Sequence, residues 1–145
     1  MRQYWNRPEA TAEKFTADGW LRSGDMGYLD ADGFLYLVDR KNDLIISGGF
    51  NVYPREVEDV LLAHPQVAEA AVVGLPDERW GDRVHAVVSL REPVEEAELL
   101  AFCAERLAGY KRPRGVSVLE ELPKSAVGKI LRRAARERIM DGAGR

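Results

Sequence analysis

An α+β fold is expected from this sequence, built as a small mixed or antiparallel sheet covered by about three helices. Three observations lead there. Short apolar runs bounded by glycine, proline and aspartate recur along the chain at strand length. Longer stretches near Pro54, Glu95 and Gly128 carry their apolar residues at helical spacing instead. The two kinds of segment are interleaved, which suits helices laid over one sheet. At 145 residues there is room for one domain with a modest core, or for a small domain plus part of a neighbour.

The stretch up to about Ser23 has little periodic pattern and sets Tyr4, Trp5 and Trp20 among charges, as an arm or the tail of a larger body would. Met26 to Asp30 and Phe34 to Val38 are apolar runs flanking Asp30-Ala31-Asp32-Gly33, whose turn chemistry predicts a β-hairpin. Asp39 to Asp43 is a charged break and a candidate boundary. Leu44-Ile45-Ile46 then reads as a buried strand ending at Ser47-Gly48-Gly49. Pro54 suits the first turn of a helix whose apolar stripe is Val57, Val60 and Leu61. Val67 to Leu75 and Val84 to Leu90 read as strands joined by the polar segment Pro76 to Arg83. Glu95 to Leu107 is expected to be a helix with Leu99, Leu100, Cys103 and Leu107 on one face. Val116 to Leu119 is a short strand. A last helix is expected over Gly128 to Met140, with Ile130, Leu131, Ala134 and Ile139 inward and Arg132, Arg133, Arg136 and Arg138 on a solvated face.

Composition narrows the function classes. Apolar and charged fractions of 46% and 31% are those of an ordinary globular protein. A net charge of −3 gives no reason to expect nucleic-acid binding. The single cysteine, Cys103, rules out an internal disulfide and sits at a core position. No apolar run reaches the roughly 18–20 residues that cross a bilayer, and the first residues lack a signal-peptide core, so a cytoplasmic location is expected. His64 and His85 have no nucleophile pattern around them, and no metal-ligand spacing is present.

Four places could carry chemistry. Asp25, in Arg22-Ser23-Gly24-Asp25-Met26-Gly27, could accept hydrogen bonds from paired hydroxyls such as those of a ribose; a turn aspartate is the plainer explanation. Gly48 and Gly49, after Asp39-Arg40-Lys41-Asn42-Asp43 and a strand, would let a backbone or slender ligand approach closely; a tight loop needs them equally. Trp80, with Tyr110, Arg112 and Arg114, could hold a nucleotide by stacking and phosphate contacts, although a solvated loop explains arginines as well. In Leu122-Pro123-Lys124-Ser125-Ala126-Val127-Gly128-Lys129-Ile130, Lys129 is expected at a helix start, where a point cation could meet phosphoryl charge; capping would also account for it. This is not a P-loop, which needs glycine at Pro123 and Ser or Thr at Ile130.

In order and spacing together, these segments resemble the C-terminal portion of the adenylate-forming superfamily, and among its members bacterial fatty-acyl- or aryl-CoA ligases most. The resemblance rests on Ser23-Gly24-Asp25, on 39–43, on Gly48-Gly49-Phe50-Asn51-Val52-Tyr53-Pro54 through Glu58, on Tyr110-Lys111-Arg112-Pro113, and on 122–130. It implies an enzyme that joins a carboxylic acid to ATP, releases pyrophosphate, and passes the acyl group from the adenylate to CoA. Residues 1–40 would be the residual end of an N-terminal adenylation domain, hairpin included. Residues 41–145 would be the mobile C-terminal lobe.

The resemblance also implies roles. Asp25 would bind the ATP ribose and Arg40 would support the same nucleotide. Asn42 falls at the hinge, where relatives usually have Asp or Lys. Gly48 and Gly49 would line the pantetheine tunnel, and Trp80, Tyr110, Arg112 and Arg114 would meet the CoA nucleotide. Lys129 would bridge carboxylate and α-phosphate during adenylation. ATP with Mg2+ and CoA are the implied small molecules, with the magnesium ligands and the pocket for a carboxylic acid, expected to be a fatty acid, on the missing N-terminal domain. Met1 matches an internal methionine of relatives, and the chain alone is expected to be inactive. Two alternatives stay open: a lobe that loads a carrier protein, against which Trp80 and Arg112 weigh, and a non-catalytic docking or regulatory module.

Overall fold

The protein is described by a computed structural model over residues 3–142; Met1 lies outside the described residues. The chain forms two compact units, one ending at Asn42 and the next beginning at Asp43.

In the first unit, a short helix, α1 (Pro8–Lys14), starts with proline in its first turn. This helix was not anticipated, and its seven residues bury none of their side chains, so no apolar period marks it. Strands β1 (Asp25–Leu29) and β2 (Leu35–Arg40) pair antiparallel as the expected hairpin. Its turn is closed by Asp30, whose Oδ1 accepts from the amides of Asp32 at 3.0 Å and Phe34 at 2.9 Å. Gly33 completes the turn at φ +86°, a conformation open to glycine without strain. Tyr28 and Tyr36 stack across the strands at 5.1 Å. Leu29, Phe34, Leu35 and Leu37 are exposed, as are Trp5 and Trp20.

The second unit is built on one mixed sheet. Strands β3 (Ile45–Ser47) and β4 (Phe50–Val52) form a tight hairpin, followed by α2 (Pro54–Leu62), which Pro54 opens as expected. Strands β5 (Val67–Asp77) and β6 (Gly81–Leu90) pair antiparallel along almost their whole lengths. Helix α3 (Glu96–Ala104) leads to β7 (Val116–Val118), which pairs parallel with β6, and α4 (Arg132–Met140) closes the described chain. The α+β expectation with about three covering helices holds in this unit.

Period-two alternation divides the sheet's side chains between two cores. Ala70, Val72, Val84, Ala86 and Val88 face one way and pack with Val57 and Leu61 of α2 and Leu99 and Cys103 of α3. Ala71, Val73, Leu75 and Val87 face the other way and pack with Leu119, Leu122 and Ala135 of α4. Burial on both faces explains why β5 reads as an unbroken apolar run rather than an alternating one.

Four local expectations are corrected. The polar segment 76–83 is largely strand, because Asp77 pairs with Gly81 and only three residues turn the chain. Ile46 is exposed while Ile45 and Ser47 are buried, so β3 is half-buried rather than fully so. The last helix starts at Arg132, not Gly128; Ala135 is its buried residue and Leu131 is exposed. Its arginines are not all solvated: Arg132 binds Glu58 and Asp43, and Arg136 Nε donates to the Gly74 carbonyl at 2.7 Å. The apolar residues before Arg132 misled because Ile130 is held in a β-bridge to Lys124.

Candidate functional site

In the first unit the β1–β2 register sets Asp25 opposite Arg40. Arg40 Nε lies 3.7 Å from Asp25 Oδ1, and both side chains are well exposed. The pair is loose and solvated, so neither group is consumed by the other. Lys41 N extends the ladder by donating to the Gly24 carbonyl at 2.9 Å, which carries the order of the hairpin up to Lys41, the residue before Asn42.

The paired glycines sit at the β3–β4 turn, both at positive φ, +58° for Gly48 and +81° for Gly49. They differ in what surrounds them. A Cβ on Gly48 would come within 2.8 Å of Trp80 Cε3, whereas one on Gly49 would meet nothing within 4 Å. Gly48 N also donates to the Trp80 carbonyl at 2.8 Å. Trp80 itself is fixed in the β5–β6 turn by its amide, which donates to Asp77 Oδ1 at 3.1 Å. Arg114 lays its guanidinium 4.1 Å from the Trp80 ring centroid, and Arg79 lies at 5.0 Å. Trp80 is therefore in contact with both Gly48 and Arg114, with Gly49 open beside Gly48.

Tyr110 is half-buried and stacks on Phe50, the residue after the glycines, at 4.8 Å. Lys111 clamps Glu56 of α2 at 2.6 Å, which holds its ammonium above the ordinary lysine range. Arg112 Nε donates to the Leu107 carbonyl at 2.9 Å, although the residue is exposed overall. These contacts explain the Tyr-Lys-Arg segment in part as bracing for the turn that presents Arg114.

Lys129 lies in the loop between β7 and α4, before the helix rather than at its start. The loop is drawn tight by hydrogen bonds from Ser125 N to the Lys129 carbonyl at 2.8 Å, from Gly128 N to the Ser125 carbonyl at 2.9 Å, and from Lys129 N to Ser125 Oγ at 3.2 Å. Gly128 takes φ +79°, which makes this turn possible. Lys129 is exposed, and its ammonium has no ion pair or hydrogen bond with a described residue. The unit's other lysines are held: Lys124 is gripped by Glu69 at 2.7 Å and Glu121 at 3.1 Å, and Lys111 by Glu56. A cation kept free on a braced loop can meet a charge that arrives from outside.

Both histidines are buried. His85 Nε2 is 2.9 Å from Ser117 Oγ, and burial, with Arg83 nearby, lowers its pKa against the opposing pull of Glu96. His64 packs edge-on against Phe102. Cys103 is in the core, and burial pushes its thiol up to about 11. Among the described residues no cluster of His, Cys, Asp and Glu could hold a metal ion, and no helix is long and apolar enough to cross a membrane.

Sequence reasoning missed the ion-pair network of Glu58, Arg132 and Asp43, and the double clamp on Lys124. A signal existed for the first. Glu58 lies beside Val57 and three residues before Leu61, on the buried face of α2, and a carboxylate there needs a cation from elsewhere in the fold.

The family model for the AMP-binding enzyme C-terminal domain matches residues 56–129. The chain is 53% identical over 136 residues to a 2-succinylbenzoate–CoA ligase of Bacillus thuringiensis subsp. konkukian, covering 94% of this chain and 28% of that enzyme. Among solved structures it resembles o-succinylbenzoate CoA synthetase from Bacillus subtilis in complex with its acyl-adenylate intermediate, at TM-score 0.86 and 53% identity, covering 92% of this chain and 27% of the other. The same enzyme in complex with ATP and magnesium ion matches at TM-score 0.86 and 51% identity, over 94% and 28% of the two chains. A Mycobacterium tuberculosis fatty acyl CoA synthetase matches at TM-score 0.73 and 46% identity, over 97% and 28%.

Proposed function

The chain belongs to the family of AMP-binding enzyme C-terminal domains, and on that premise we propose that it is the lysine-bearing lobe of an ATP-dependent carboxylic acid–CoA ligase. It spans 28% of the length of the curated ligase it matches, so the acyl pocket and the magnesium ligands are assigned to an N-terminal body. Asn42, with the division between compact units falling directly after it, is assigned as the pivot. Asp25 and Arg40 serve the nucleotide.

In the first half-reaction a carboxylate oxygen bonds to the α-phosphorus of ATP as the bond to the bridging oxygen breaks and pyrophosphate leaves. Lys129 offers its ammonium to the charge on the carboxylate and α-phosphate, a contribution that counts most where water is excluded. In the second, the CoA thiolate adds to the acyl carbonyl and AMP departs. Trp80 and Arg114 supply a stacking face and a cation for the CoA nucleotide, and Gly49, open on its Cβ side, leaves room for the pantetheine arm. The observation that carries this reading is the free ammonium of Lys129 on a loop whose neighbouring lysine is doubly paired.

The acid is proposed to be aromatic, of the 2-succinylbenzoate type. Its support is the 53% identity to 2-succinylbenzoate–CoA ligases against 46% to the fatty acyl CoA synthetase. A fatty acid is the competing substrate to assay beside it.

Calorimetry with CoA tests the lobe directly. The 145-residue chain should bind CoA, and Trp80→Ala should weaken binding about tenfold, the loss of one stacked contact of about 1–2 kcal/mol. Undiminished binding by Trp80→Ala would remove Trp80 from the site. The chain alone should form no thioester from acid, ATP and CoA, because positioning by the other lobe is absent.

A further inference from the structure

We propose that Arg132 is a positioning residue that ties the loop carrying Lys129 to Asp43, the residue after the pivot position, so that the two move as one piece. The inference deepens the ligase reading and rests on it only for what Lys129 does.

Arg132 opens α4 three residues after Lys129. Its Nε and Nη2 donate to the two oxygens of Glu58, each at 2.7 Å, and its Nη1 donates to Asp43 Oδ2 at 2.7 Å. Glu58 is 7% exposed, and its Oε1 also accepts from the Val72 amide at 2.9 Å. The rigid guanidinium fork is thus used on two carboxylates at once, bidentate to one and single to the other. An ammonium could not span both in this geometry.

The partners come from three places: the chain entering the unit, the middle of α2 and the start of α4. The loop's internal bonds, including Leu131 N to the Pro123 carbonyl at 2.8 Å, give it shape but do not fix it to the rest of the unit. Leu122 and Ile130 seat it in the second core, and two charged anchors pin its ends. Lys124 holds the near end to Glu69 and Glu121, and Arg132 holds the far end to Glu58 and Asp43. Because Asp43 is also the chain's entry to the unit, the Arg132 side chain gives a rotation delivered at the pivot a direct route to the Lys129 loop, beside the core packing of Leu122 and Ile130.

Amide hydrogen exchange followed by NMR on the full 145-residue chain tests this without ATP, CoA or a second lobe. Asp43→Asn should speed exchange at Gly128 and Lys129 by about tenfold, the scale of one charge-assisted hydrogen bond lost from local opening. Exchange at Ala86, in the centre of the sheet, should not change, and Asp43→Glu should restore the loop. Arg132→Lys, which also gives up the bidentate bond to Glu58, should speed loop exchange at least as much as Asp43→Asn. Unchanged loop exchange in Asp43→Asn would overturn the proposal, as would equal acceleration at Ala86, which marks a general loss of stability. Since no substrate is involved, failure of the ligase reading would leave the exchange result standing, and failure of the coupling would leave the ligase reading intact.

Discussion

A methyl group placed on Gly48 would sit 2.8 Å from Cε3 of Trp80, so the indole occupies the space that a side chain would take. Gly48 is also at φ +58°, in the left-handed region. Gly48→Ala should therefore cost about 2–3 kcal/mol, combining backbone strain of about 1–2 kcal/mol with displacement of the ring. Gly49→Ala carries only the backbone cost of about 1–2 kcal/mol, since open space surrounds its Cβ direction. Urea denaturation of the two variants checks the difference, and CoA affinity should fall more for Gly48→Ala because Trp80 is the group that shifts.

Breaking the network at Glu58 should be the most damaging of the polar substitutions. Glu58→Gln keeps the volume and an acceptor for the Val72 amide but replaces the carboxylate held bidentate by the Arg132 guanidinium with a neutral amide. A loss of about 2–3 kcal/mol is expected, below the full cost of a deeply buried pair because the Arg132 side chain is 20% exposed. Denaturant midpoints of the variant against the parent measure it.

Stability should depend on pH through His85. Its pKa is lowered by burial and by Arg83, opposed by Glu96, so the folded state holds the ring neutral more firmly than the unfolded state does. The unfolded chain then binds the extra proton first. The stabilisation is fully present above about pH 6.5 and is lost as pH falls through the depressed folded value. His85→Gln, which can still meet Ser117 Oγ, should flatten the stability profile below about pH 6.5; an unchanged slope would assign the dependence to other groups.

Cys103 should be inert until the unit opens. A thiol pushed from 9.0 to about 11 has about a hundredfold less thiolate at pH 8, and burial adds a barrier to access. Alkylation by iodoacetamide should follow the unfolding transition in urea, with no fast phase in the native protein.

The elements with a strong local signature were legible in the sequence. The Asp30–Gly33 turn, Pro54 at the start of α2 and the apolar runs of β5 and β6 each carry their own chemistry. What was not legible depends on distant partners. Val116–Val118 pairs parallel to β6 across an intervening helix, and nothing in three residues announces that direction. Ile130 and Leu131 extend the helical pattern of α4 backward, but a bridge to Lys124 and a hydrogen bond to the Pro123 carbonyl hold them out of the helix. Lys124 and Lys129 look alike in the sequence; only the fold, by bringing Glu69 to one and no described carboxylate to the other, separates a brace from a free cation.

Pyrophosphate exchange tests that separation most directly. The chain joined to the N-terminal body of the Bacillus subtilis 2-succinylbenzoate–CoA ligase would be compared with its Lys129→Ala and Lys124→Ala forms. Lys129→Ala should slow acid-dependent exchange by about a hundredfold or more, the scale of one charge-stabilising group lost, while thioester formation from preformed acyl-adenylate and the unfolding midpoint stay near the parent's. Exchange by Lys129→Ala at the parent's rate, or a larger loss in Lys124→Ala, would contradict the assignment of the free ammonium.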